Sequence, residues 1–123
     1  MQMKSIAGIL FLLSITCAAY AQSADTTRSA PDKNQELLLV EAACGQCKFG
    51  LPGNSCDLAI RMNGKAYFVD GTAIDDHGDA HAKDGFCNAV RKANVQGFVV
   101  DNRFKASYFQ LLKAPEKDKP AKQ

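Results

Sequence analysis

Residues 57–71 read DLAIRMNGKAYFVDG, and the Asn63-Gly64 pair in their middle is the tightest constraint on what this chain can become. A two-residue type I′ turn needs positive φ at both central positions, which Asn and Gly adopt at little cost. Before the pair, Leu58, Ile60 and Met62 alternate with polar or small residues in Asp57–Met62, the period of a half-buried strand. After it, KAYFVDG resumes a strand pattern. An antiparallel hairpin at the centre of the chain commits the core to a sheet.

Three further strands fit around it. ELLLVEAA (Glu36–Ala43) is a continuous apolar run. VQGFVV (Val95–Val100) and FKASYFQLL (Phe104–Leu112) are separated by DNR, which reads as a turn. In the last strand the apolar phase shifts between Tyr108 and Phe109, which predicts a bulge or a strand buried on both faces near its end. One helix is expected within Asp79–Ala93, where Phe86, Ala89, Val90 and Ala93 recur at i, i+3, i+4 and i+7. Asp79 or Asp84 is its N-cap, and Arg91 and Lys92 suit its last turn. Three strands, a helix and two strands is the order of a mainly β, five-stranded OB-like barrel with its helix between strands 3 and 4. An open antiparallel sheet with the helix packed across it is the rival.

The ends read differently. Lys4 followed by the apolar run Ile6–Ala19 and Ala-Tyr-Ala at 19–21 has the form of a signal peptide covering 1–21, with the mature chain starting at Gln22. The run is shorter than the roughly 20 residues of a spanning helix, so no membrane span is expected after cleavage. Cys17 offers a lipoprotein alternative, but Ser14-Ile15-Thr16 before it fits that signal poorly. Residues 22–35 read as a flexible leader and 114–123 as a disordered tail, leaving 36–113 as one small domain. Placement is then periplasmic or secreted. Of 15 Lys+Arg, Lys4 is lost with the leader, leaving fourteen against 13 acids and a balance near neutral. That charge argues against nucleic acid, which selects a strongly basic face.

Export puts Cys44, Cys47, Cys56 and Cys87 in an oxidising compartment, where an even number of cysteines favours disulfides. The first three are spaced C-x2-C-x8-C. A redox C-x-x-C needs its first Cys at a helix N-terminus, and Gly50, Pro52 and Gly53 stop any helix here within about one turn. Haem attachment needs His at position 48, which is Lys48. Disulfides from the C-x-x-C to Cys56 and Cys87 would each contribute on the order of 2–4 kcal/mol. A zinc site remains open, because C-x2-C is the usual first half of one. The usual second half, another close pair, is missing, since Cys56 and Cys87 lie far apart.

A second cluster is DDHGDAH, residues 75–81. His77 and His81 at i, i+4 would face the same way on a helix and could share an ion, with Asp75, Asp76 and Asp79 among them. Five acids and one base between Asp70 and Asp84 give a local charge of −4, relieved by a cation, by backbone donors or by solvent. Aspartates that cap and bind loop amides are the simpler account. An EF-hand loop is excluded, because Ala80 stands where glycine is required and Phe86 where the bidentate glutamate belongs. A mixed site of His77, His81, Asp76, Asp79, Cys44, Cys47 and Cys87 would suit zinc or copper.

The motifs CGQC, CDLA, YFVDG, DDHGDAH and DGFCNA together resemble an uncharacterised family of small exported bacterial proteins of Bacteroidetes type, over roughly Val40–Leu112. The resemblance implies export and the extent of the domain, and no mechanism. The combined expectation is an exported binding domain with a Cys/His/Asp-centred site for zinc or copper. The alternatives are a disulfide-stapled module that meets a protein or small ligand, and a thiol redox protein acting through CGQC. No pattern supplies oxyanion donors, so binding is favoured over catalysis.

Overall fold

The computed structural model describes residues 27–114; the signal peptide expected over 1–21, with Cys17, and nearly all of the expected tail lie outside them. Five strands, β1 (Leu38–Cys44), β2 (Leu58–Met62), β3 (Lys65–Asp70), β4 (Arg91–Val100) and β5 (Arg103–Leu111), close into a barrel in the order β1-β2-β3-β5-β4. The chain is therefore mainly β with a five-stranded barrel, and the open-sheet rival is excluded. Neighbours pair antiparallel except β3 and β5, which meet in parallel at Val69↔Phe104 and Asp70↔Lys105. Among the described residues no helix is long and apolar enough to cross a membrane.

The two hairpins follow from their turn residues. Asn63 and Gly64 have φ of 51° and 80°, and Met62 pairs with Lys65. Asp101 and Asn102 repeat the device with φ of 50° and 61°, between paired Val100 and Arg103. Aspartate and asparagine tolerate this region better than other non-glycine residues. The irregularity anticipated in the last strand is present one residue early. Gln96 pairs with Tyr108 and Gly97 with Ala106, so Ser107 is the extra residue. At Gly97 any Cβ would collide with the Lys105 carbonyl oxygen. Alternate residues face inward: Val40, Ala42 and Cys44 from β1, Leu58 and Ile60 from β2, Ala93 and Val95 from β4, Phe104 and Ala106 from β5.

The expected helix over 79–93 is not formed. The α-helix among the described residues is the single turn α1 (Gly45–Lys48), between β1 and β2. Between β3 and β4 lie a short 3-10 turn, Ile74–His77, and a run of tight turns. The stripe misled because its members answer to two different structures. Ala93 belongs to β4, where it is buried with Val95 at period two, while Val90 is 41 % exposed. Gly85 allows the chain to fold back on itself, since a Cβ there would overlap the carbonyls of Asp79 and Ala80. Ala82, Gly85 and Asn88 donate N–H to Asp79, Ala82 and Gly85 at 3.2, 2.9 and 3.0 Å, and the Asn88 amide ties down the carbonyls of His81 and Ala82. Ile74, Ala80 and Phe86 from this segment enter the core. It plugs one end of the barrel, the place the expected helix would have held.

Part of the expected flexible leader is ordered. Residue 28 forms a parallel bridge with Tyr108, its N–H donating to the Ser107 carbonyl at 2.8 Å. Gln96, 1 % exposed, accepts from the Asp32 N–H at 2.8 Å and donates to the carbonyls of Asp32 and Gln35. A buried amide needs such partners, and this one finds them in residues 32–35, which become a strap against β4.

Candidate metal centre

β1 delivers Cys44, fully buried, to the end of the barrel. The chain then makes the one turn of α1, with the Cys44 sulfur accepting the Cys47 N–H at 3.4 Å. Gly45 permits the turn, because a Cβ would lie 2.7 Å from the Phe68 ring and 3.1 Å from the Ala59 Cβ. Gly50, at φ 66°, ends it. The loop back to β2 is fixed around Asp57. Gln46 donates from Nε2 to the Asp57 carboxylate at 2.7 Å and accepts the Asp57 N–H at 3.0 Å, Ser55 donates to the same carboxylate at 2.6 Å, and the Gly45 N–H donates to the Asp57 carbonyl at 2.8 Å. Cys56, next to Asp57, is thereby brought over the C-x-x-C turn.

Cys87 arrives from the plug. The Cys44 N–H donates to the Phe86 carbonyl at 2.9 Å, and the Cys87 N–H to the Ala80 carbonyl at 2.9 Å. The sulfurs of Cys44, Cys47, Cys56 and Cys87 all lie within 4.8 Å of one another, and all four cysteines are free thiols. Four sulfurs at about 2.3 Å from a tetrahedral zinc would stand ~3.8 Å apart, whereas a disulfide requires ~2.05 Å. The cluster is on the scale of the first arrangement.

Its electrostatics point the same way. Burial pushes the Cys44 thiol up, but hydrogen bonds from Cys56 and from the Cys47 thiol and N–H outweigh it, and the net shift is below the ordinary value. Cys47 is pushed up, first by its hydrogen bond to Cys44 and then by burial and the charge of its neighbours. Cys56 is pushed up strongly, by burial first and then by its bonds to Cys44 and Cys87. Bare, the cluster favours the thiolate at Cys44 and disfavours it at Cys47 and Cys56. A bound cation reverses that, because its charge stabilises every coordinating sulfur as thiolate. A tetrahedral four-sulfur donor set fits zinc or iron and other thiophilic ions, not calcium or magnesium.

Among the described residues this is the group of three or more metal-ligating side chains that the fold assembles. The expected mixed set does not come together. Without a helix, His77 and His81 do not share a face, because Gly78, at φ 101°, turns the chain between them. The His77 ring lies 4.5 Å from that of Phe109 and edge-on to Phe86 at 6.2 Å, with Nε2 2.9 Å from the Thr72 hydroxyl. Burial lowers its pKa, partly offset by Asp76. Asp76 accepts from the Ala73 N–H and the Thr72 hydroxyl, which hold its carboxyl below the usual range. Asp79 accepts the His81 N–H at 2.9 Å, and His81 is exposed. The aspartates thus satisfy loop donors.

The sulfur in this cluster that the expected metal set omitted is Cys56. Its signal was strand pairing: in β1 and β2 Cys44 sits opposite Leu58, so a residue two before Leu58 returns beside the turn that follows Cys44.

No curated protein and no solved structure matches this chain. A family model matches residues 38–112, from the first residue of β1 to the residue after β5. The chain belongs to that family, described as a family of unknown function, DUF6370.

Proposed function

We propose that this protein is an exported metal-thiolate domain that binds one thiophilic ion, zinc foremost, through Cys44, Cys47, Cys56 and Cys87. The observation that carries this reading is the convergence of four sulfurs from the end of β1 and two connections of the barrel to within 4.8 Å. Four protein ligands leave no open coordination position, so the ion holds structure or is itself held, and it does not activate water. Coordination would also keep the thiols from pairing in an oxidising compartment. The near-neutral charge balance of the chain supports a protein or small-ligand partner over nucleic acid.

Elemental analysis of natively purified protein, combined with intact mass before and after thiol alkylation, tests the proposal. One equivalent of zinc, or of another thiophilic metal such as copper, with four thiols released on denaturation is the expected result. Two disulfides without metal would overturn it in favour of a stapled module. A single Cys44–Cys47 bridge that cycles with a dithiol would favour a redox protein. N-terminal sequencing of the exported protein, expected to begin at Gln22, tests the placement.

A further inference from the structure

The four sulfurs differ in how they are held. Cys44, Cys47 and Cys56 all belong to residues 44–57, whose shape rests, beside the Cys47 N–H to the Cys44 sulfur, on bonds that use no sulfur: the Gln46–Asp57 pair, the Gly45 N–H to the Asp57 carbonyl, and the N–H groups of Phe49 and Leu51 to the Gly45 carbonyl at 3.1 and 3.0 Å. Cys87 belongs to the plug, whose backbone hydrogen bonds between Asp79 and Ala89 are internal turns and which Arg91 of β4 reaches from outside, donating to the Asp84 carbonyl at 2.8 Å. The two segments meet at the Cys44 N–H to Phe86 carbonyl bond and at the buried Phe86 ring. Three ligands are therefore prearranged on one rigid loop, and the fourth is carried by a separate body.

We infer that Cys44, Cys47 and Cys56 form a three-thiolate cup able to hold a soft cation by itself, and that Cys87 is the ligand through which metal occupancy locks the β3–β4 plug onto the barrel. This rests on the metal-binding reading above. The ligand class is the soft ions that accept three thiolates as well as four, with water or nothing in the remaining position. Prearranged donors bind with less ordering cost than donors that must be gathered, so the cup binds first and Cys87 closes last. The plug also forms a wall of a cavity of about 270 Å³ bordered by His77, Asp79, Phe86, Arg91 and Leu111. Metal occupancy sets how firmly that wall stands.

Cadmium titration of the reduced, metal-free protein, followed by sulfur-to-metal absorbance and by amide hydrogen exchange, tests the inference in wild type, Cys87→Ser and Cys47→Ser. Cys87→Ser is expected to keep cadmium with affinity lowered roughly 10²- to 10³-fold, one ligand's share of a structural site. Its amides at Ala82, Gly85 and Asn88 should exchange equally fast with and without cadmium. In Cys47→Ser, whose side chain is exposed, cadmium also binds more weakly, yet it should still slow those amides as it does in wild type. Cadmium-dependent slowing in Cys87→Ser would overturn the inference, as would loss of all binding in Cys87→Ser while Cys47→Ser retains it. Wild type decides independently of whether the variants fold: cadmium bound with no slowing of the plug amides overturns the coupling. A wild type that takes up no cadmium defeats the metal-binding reading itself, a separate result.

Discussion

The two long connections of the barrel, residues 45–57 between β1 and β2 and residues 71–90 between β3 and β4, solve the same problem by different means. Each must bring cysteine to one end of the barrel without a helix longer than a turn. The first is a polar clasp: Asp57 gathers Gln46, Ser55 and the Gly45 N–H, and its side chains stay near water. The second is an apolar plug, anchored by Ile74, Ala80 and Phe86, with Asp76 and Asp79 turned to loop amides. Hydrogen bonds near water contribute little net energy but define geometry, while buried rings contribute energy and leave geometry softer. The clasp therefore positions Cys47 and Cys56, and the plug supplies buried apolar area to the core.

That contrast can be broken by experiment. Phe86→Ala should cost about 3–5 kcal/mol in denaturant unfolding and loosen the plug amides while the 45–57 amides stay protected; equal loosening of both would erase the distinction. Removing metal by chelation should lower stability by about 3–4 kcal/mol where free metal had stood at 10²- to 10³-fold its Kd, with exchange rising most at 79–89. Asp57→Ala should cost only about 1–2 kcal/mol, yet weaken metal binding by roughly 10- to 100-fold, as loss of an orienting group does. A large stability loss with unchanged metal affinity would reverse the roles assigned to clasp and plug.

The smallest expected effect is a pH dependence at His77, read on metal-free protein. Burial lowers its folded pKa below the ordinary value of 6.5. The unfolded chain therefore binds the proton more readily. This contribution is fully present above about 6.5 and is lost as pH falls toward and through the lowered folded value. Asp76, also lowered, loses its own contribution only in the carboxylate range. His77→Leu should flatten the upper part of the wild-type stability profile, measured by denaturant midpoint between pH 7 and 5. An unchanged slope would show that the plug does not sense this proton.

Strand number, both hairpin turns and the closed barrel were legible in local signals, because Asn63-Gly64, Asp101-Asn102 and the alternation of Leu58, Ile60 and Met62 act over neighbouring residues. The bulge in β5 was visible within one residue. The plug was not, because Phe86 and Ala93 happen to fall at helical spacing while one fills the barrel end and the other lies in a strand. Gly78 and Gly85 carried the contrary signal, since both permit turns that a helix excludes. At the site, the fold brings Cys44, Cys47 and Cys87 of the expected set together, with Cys56 beside them. His77 and His81 enter the expected set because a helix is expected where the chain makes turns, whereas Cys56 joins the cluster through the pairing of β1 with β2, which sequence spacing does not display.

The Gln96 strap changes how reach should be counted. Because residues 32–35 are buttoned to β4 and residue 28 runs beside β5, a tether, tag or fusion joined upstream starts from the flank of the barrel and not from Leu38. It forfeits the span of ~10 residues, about 35 Å if extended. A linker designed to let this domain meet a partner has to be longer by that amount, and Gln96→Ala would free the part held at Asp32 and Gln35.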